Sequence, residues 1–136
     1  MMLPYTTEVW FAALAEYYAT WFPGPVIMAL AAVSAVVTAH RGGPAGGRAA
    51  LWFLAVLWIW IGAVQQLLHM SGLNFMAPVY GAVWIAGGVL FALFALTVRD
   101  VRFRFTGDAR GQAALALVLL GLAGWPLATM ALGYGW

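Results

Sequence analysis

Long apolar runs separated by short polar breaks set the pattern of this chain. Four of them, about 22–39, 49–69, 78–98 and 112–132, are long enough to cross a bilayer. A helix needs about 20 residues to cover a hydrocarbon core of roughly 30 Å. Pro23 and Pro25 open the first run and Pro78 the third. A proline at a helix start forgoes an N–H that has no partner there anyway. Pro126 lies inside the fourth run and is expected to kink it in its outer third. The pattern predicts an all-α membrane protein: one membrane domain over 1–136 with four transmembrane helices.

The segment 6–21, TTEVWFAALAEYYATW, reads differently. Thr6 or Thr7 suits an N-cap and Glu8 sits in the first turn, where the helix dipole favours an acid. Trp10, Phe11, Leu14, Tyr17, Tyr18 and Trp21 follow. Trp and Tyr prefer the headgroup level, so the expectation is an amphipathic helix lying in the outer interface. The competing arrangement extends the first membrane helix, with the prolines as its kink.

Three connections join the runs. RGGPAGGR (41–48) reads as a Gly/Pro turn with two cations. MSGLNFMAP (70–78) has no formal charge. RDVRFRFTGDARG (99–111) carries four Arg and two Asp, and its alternation at 102–105 suggests a short strand-like or interfacial segment. All six Arg lie in the first and third connections. Connections rich in Arg stay in the cytoplasm. The two Arg connections are therefore expected inside, and both termini outside.

Composition agrees. Hydrophobic residues make up 65% and charged ones 7%, against roughly 45–50% and about 25% in soluble domains. With no cysteine, disulfides and thiolate metal sites are excluded. With no lysine, every cation is Arg, which together with abundant Ala suggests a GC-rich bacterial genome and hence the bacterial cytoplasmic (inner) membrane. A net charge of +2 gives no reason to expect nucleic acid. No Arg or Lys precedes the first apolar run, so no cleavable signal peptide is expected.

The polar residues within the runs are few. Gln65, Gln66 and His69 fall in the last turns of the second helix, near the outer boundary. Trp58, Gly62, Gln65 and His69 share one face at α-helical spacing. Hydrogen bonding between helices explains such amides, at roughly 0.6 kcal/mol each. With Glu16, expected to pair with His69, they form a candidate outer polar cluster. A haem or chlorophyll held by His69 alone is the sharper alternative. A bis-His metal is strongly disfavoured because His40, the other histidine, ends the first helix on the inner side. No metal or cofactor is required. Arg99, Arg102, Arg104 and Arg110 are expected to pair locally with Asp100 and Asp108 and to meet anionic lipid headgroups, at about 1 kcal/mol per basic residue.

Small residues predict where helices approach. Ala31, Ala35 and Ala39 form a stripe on the first helix. Gly62 thins the second, Gly88 and Ala92 the third, and Gly121 and Gly124 the fourth. Packing, not water exclusion, drives association inside a bilayer, and small residues permit it. Trp58, Trp60 and Trp84 lie deeper than a boundary belt and are expected to fill space beside glycines. No Ser-His-Asp set, paired membrane carboxylates, HExxH or phosphate loop occurs, so no enzyme is expected.

Three stretches carry a resemblance: LPYTTEVWFAALAEYYATWFPGPV, LNFMAPVYGAVW, and RFRFTGDARGQAALALVLLGLAGWPLATMALGYG. They resemble a family of bacterial integral membrane proteins of unknown function, the RFRF…DARG and WPL…G parts being the most specific. The resemblance implies the fold class and a bacterial membrane, and no activity. It also implies a chain shortened at its C-terminus, since members continue with further apolar segments. Members carry an aromatic-His pair where Gln65 and Gln66 stand, so no histidine role carries over. The leading functional expectation is a non-catalytic accessory or structural subunit of a larger membrane complex. It would pack through aromatic and small-residue faces against other subunits or copies of itself. The alternative is a small oligomeric transporter or channel with Gln65, Gln66 and His69 in an outer vestibule. A lipid- or quinone-binding protein is a third option.

Overall fold

The computed structural model describes residues 6–103, 106–131 and 133, and every regular element among them is helical. Helix α1 (Thr7–Trp21) precedes α2 (Gly24–Arg41) and α3 (Gly43–Trp60), which runs unbroken into a π-helical segment, Ile61–Met70. Helix α4 (Ala77–Thr97) follows. The last helical stretch is α5 (Ala109–Leu119), a π turn (Leu120–Gly124) and α6 (Trp125–Ala131).

Among the described residues, three helices are apolar and long enough to cross a membrane: Gly24–Arg41, Gly43–Met70 and Ala77–Thr97. Ala109–Gly124 is apolar but shorter. Polar side chains inside these helices satisfy themselves locally. The hydroxyls of Ser34, Thr38 and Thr97 donate to the carbonyls of Leu30, Ser34 and Leu93, four residues back. Such back-bonding lets a hydroxyl sit on an apolar helix without a second partner.

The observed boundaries correct one sequence expectation. The expected turn RGGPAGGR is mostly helix, and α3 starts at Gly43, six residues ahead of the expected 49. The turn shrinks to Gly42, and Gly43, the first residue of α3, lies in the left-handed region at φ 57°. Gly46 and Gly47 are not loop formers here. A Cβ at Gly46 would strike the Thr38 carbonyl, and one at Gly47 the Val101 carbonyl. They are glycines because α2 and the segment after α4 pass directly over the start of α3.

The same contact gathers the Arg-bearing segments at one end. Gly47 abuts Val101, and Arg48 Nε donates to the Ala95 carbonyl at 3.1 Å, in the last turn of α4. A cation at a helix C-terminus is favoured by the dipole. The expected strand-like alternation is not formed at Arg102 and Phe103, which lie in irregular backbone; Arg104 and Phe105 lie outside the described residues.

The core is built from small side chains. Ala39, Ala50, Ala55, Ala77 and Ala95 are buried, and of the larger hydrophobics only Leu14, Tyr17, Leu51 and Met70 join them among the described residues. Small side chains let backbones come close, and the α3–α4 seam is where they come closest. A Cβ on Gly62 would lie 2.7 Å from both the Gly81 carbonyl oxygen and Ile85 Cγ1. One on Gly88 would lie 2.6 Å from Ile59 Cγ1 and 2.9 Å from the Ala55 carbonyl oxygen. Trp58 lies flat over Gly87, its ring 4.5 Å from Trp84 and 5.3 Å from Phe91. This is the space-filling expected of Trp58 and Trp84.

The π turn Leu120–Gly124 lies directly ahead of α6, the helix that contains Pro126.

Candidate functional site

Helix α1 builds the most organised side-chain cluster. Thr6 caps it, its hydroxyl accepting from the Val9 amide at 3.4 Å. Its buried face, Leu14 with partly buried Trp10, Phe11, Ala13 and Tyr18, packs on Met70, Leu73 and Ala77. The helix thus covers the uncharged connection between the π segment and α4.

One turn further, Tyr17 and Trp21 share a face of α1 and engage two side chains of the long helix. Trp21 Nε1 donates to His69 Nε2 at 2.7 Å, and Trp60 Nε1 donates to the Tyr17 hydroxyl at 2.6 Å. The rings interlock edge to face: Trp21 with Trp60 at 5.1 Å, and Tyr17 with His69 at 5.4 Å. Edge-to-face aromatic pairs are worth about 0.5–1.5 kcal/mol beyond the area they bury. An indole N–H can only donate. His69 Nε2 is therefore the acceptor, and the imidazole proton sits on Nδ1. A metal approaching Nε2 would first have to displace Trp21.

The π segment makes this cluster possible. Trp60 and His69 are nine residues apart. At 3.6 residues per turn that is two and a half turns, which puts them on opposite faces. A π-helix closes i→i+5 bonds at roughly 4.4 residues per turn, so nine residues make about two turns. The wide winding of Ile61–Met70 brings His69 back beneath Trp60, where both meet α1. The expected common face of Trp58, Gly62, Gln65 and His69 assumed α-helical spacing. In the structure Trp58 faces α4 and His69 faces α1.

The expected Glu16–His69 pair is absent. Glu16 is exposed, and among the described residues the one ion pair is Arg102–Asp100. His69 takes its hydrogen bond from Trp21, the residue one turn beyond Tyr17, because an indole can reach into the aromatic pocket without carrying a charge there. Gln65 and Gln66 are half-buried; no hydrogen bond to either amide is found among the described residues, and no polar side-chain atom there is both fully buried and unpartnered.

The opposite end carries the arginines described, together with Asp100 and Asp108. Arg102 Nε binds Asp100 at 2.7 Å in a well-exposed pair. Asp108, expected to pair with Arg, instead caps α5. Its carboxylate accepts from the Thr106 hydroxyl and from the Gly111 amide at 2.9 Å. These two bonds, the Thr106 hydroxyl first, hold it below the usual carboxylate range. Gln112 Nε2 reaches back to the Gly107 carbonyl at 3.2 Å. Arg99 and Arg110 are exposed, and Arg104 lies outside the described residues.

Beside this end an apolar cavity of about 530 Å³ opens between α2, α3 and α5. Ala35 and Ala39 of the small-residue stripe face it, across from Ala50 and Leu57 of α3 and Gly121 of the last helix, with Phe103 also in its lining. Gly121 meets no neighbour: a Cβ there would find nothing within 4 Å. A Cβ on Gly124 would meet only Leu120 of its own helix. Ala31 and Ala92 are half-buried on α2 and α4.

The described residues thus form an all-helical protein with three helices long and apolar enough to cross a membrane. Within that class the chain belongs to a family of unknown function (DUF6064), which it matches over residues 7–136. No curated protein and no solved structure matches it.

Proposed function

We propose that this chain is a non-catalytic accessory or structural subunit of a larger complex in the bacterial cytoplasmic membrane. Four spans cross the bilayer, Ala109–Ala131 being the fourth; both termini lie outside, and the Arg-bearing end faces the cytoplasm. The observation that carries the reading is the pair Gln65 and Gln66. Two amides sit half-buried on a helix long and apolar enough to cross a membrane, and no hydrogen bond to either is found among the described residues. An amide in such surroundings costs free energy until it is hydrogen-bonded. Membrane helices meet that need with polar side chains from neighbouring helices. Exposed Leu67 and Leu68 flank the amides and extend the surface available to a neighbour.

The test is native electrophoresis of the protein solubilised mildly from its own membranes, with and without Gln65→Leu and Gln66→Leu. Migration within a larger assembly of defined composition is expected, and its loss when both amides are replaced. A chain that migrates alone would overturn the reading. A homo-oligomer with an axial polar cavity would replace it with the transporter. Because the chain has no cysteine, a single Cys at Leu68 gives an unambiguous crosslink to whatever stands there.

A further inference from the structure

The cavity between α2, α3 and α5 lies at the arginine end, away from Gln65 and Gln66, and its construction is that of a site. Its 530 Å³ falls within the roughly 300–1,000 Å³ of small-molecule pockets. On α2 its lining runs from Ala39 to Ala32, and on α3 from Ala50 to Leu57. Each stretch descends about 10 Å into the bundle at 1.5 Å per residue. The lining is apolar throughout. Nothing with a polar body fits such a slot, whereas a hydrocarbon tail does.

The charges beside it select the head. Phe103 lines the cavity and Arg102 is its neighbour in the chain. Gly47 abuts Val101, so Arg48 and Arg102 flank the same backbone contact. Each guanidinium is pinned through Nε, Arg48 to the Ala95 carbonyl and Arg102 to Asp100. That arrangement holds the side chain through Nε, and no hydrogen bond from the two terminal nitrogens of either residue is found among the described residues. Arg presents a planar fork that suits phosphate. The chain carries no lysine to serve instead.

We propose that this cavity holds one acyl chain of an anionic phospholipid whose phosphate is bound by Arg48 and Arg102. The site keeps one lipid in a fixed place, unlike the exchanging lipids around the other helices. It also explains why α5 stands off from α2 and α3: the tail fills the gap that side chains leave.

Native mass spectrometry of the whole protein in mild detergent tests this, with phosphatidylglycerol and phosphatidylcholine of identical chains as probes. One phosphatidylglycerol is expected to be retained at about thirtyfold lower concentration than phosphatidylcholine, since each of the two basic residues near an anionic head contributes about 1 kcal/mol. Arg48→Gln with Arg102→Gln should erase the headgroup preference while tail retention persists. Arg102→Lys, which keeps the charge and loses the fork, should fall between. Gly121→Leu adds a side chain on the cavity lining at a position where a Cβ meets nothing within 4 Å, and should weaken retention of both lipids; Leu117→Trp is an independent filling. Circular dichroism checks that each variant stays helical. Equal retention of the two lipids by the unaltered protein would overturn the proposal. So would unchanged retention in both filled variants, which would mean peripheral lipid only. A changed oligomeric state in those variants with lipid retention unaltered would place a helix in the cavity and overturn it as well.

Discussion

Helices α4 and α5 both stand beside the hairpin of α2 and α3, and they are joined to it in opposite ways. Along α4 the fit is backbone to backbone: Gly62 meets Gly81, Gly88 meets Ala55, and Trp58 closes over Gly87. Beyond α5, Gly121 of the π turn faces empty space, and a cavity of about 530 Å³ separates this stretch from α2 and α3. The same residue type thus does two different things. At the seam glycine is required because any side chain would collide. At Gly121 it removes a side chain that would otherwise fill a slot. A small-residue spacing marks where an approach is permitted, and the facing helix decides whether it happens.

The largest test of this difference places side chains on both glycines. Gly62→Ala should destabilise the protein by about 1–3 kcal/mol, the usual cost of overpacking a fitted interface, because the neighbouring carbonyl belongs to backbone and cannot swing aside. Gly121→Ala should be neutral or stabilise by up to about 1 kcal/mol, the helix-propensity gain. Unfolding in detergent micelles followed by circular dichroism reads both, and equal effects would erase the distinction between the two flanks.

A second test asks whether the far end of the seam is held from outside. His69→Ala removes the acceptor for the Trp21 N–H, and leaving a partly buried donor unpaired costs about 1–3 kcal/mol. Helix α1 should then become accessible to protease near Trp21, while His69→Gln, which keeps an acceptor, should restore part of the protection. No change in α1 would mean that Leu14 on Met70 and Ala77 suffices to dock it.

The smallest effect is expected at α5, through Asp108. Its carboxyl is held below the usual carboxylate range by the Thr106 hydroxyl and the Gly111 amide. Its contribution is therefore present above the ordinary carboxylate pKa and is lost as pH falls through the depressed folded value. Below that point the start of α5 should fray while the α3–α4 seam persists. Hydrogen exchange at Gly111 and Gln112 measures this, and Asp108→Ala should show the frayed pattern already at neutral pH.

The apolar runs announced the helices because length and hydropathy suffice for that, and Thr6 could be read as a cap from its place before Glu8. Other features depend on partners that spacing does not reveal. In RGGPAGGR the glycines suggested a turn, since a Gly/Pro cluster looks the same whether it bends the chain or makes room for Thr38 and Val101. Asp108 was expected to pair with Arg, as Asp100 does. That expectation overlooked the Asp-x-x-Gly arrangement at a helix start, where Asp108 can reach the Gly111 amide. The cluster of Tyr17, Trp21, Trp60 and His69 was hidden most completely. An α-helical period puts Trp60 and His69 on opposite faces, and nothing in IGAVQQLLHM advertises a wider coil.

That wider coil has a consequence for the N-terminal arm. Tyr17 and Trp21 grip two rungs of a loosely wound ladder, and the rungs line up only at that pitch. Removing a single residue between Gly62 and Leu68, or tightening the ladder to ordinary pitch, would turn the imidazole away and unfasten the arm with no contact residue altered. The attachment of α1 is thus a gauge of how the backbone beneath it is wound.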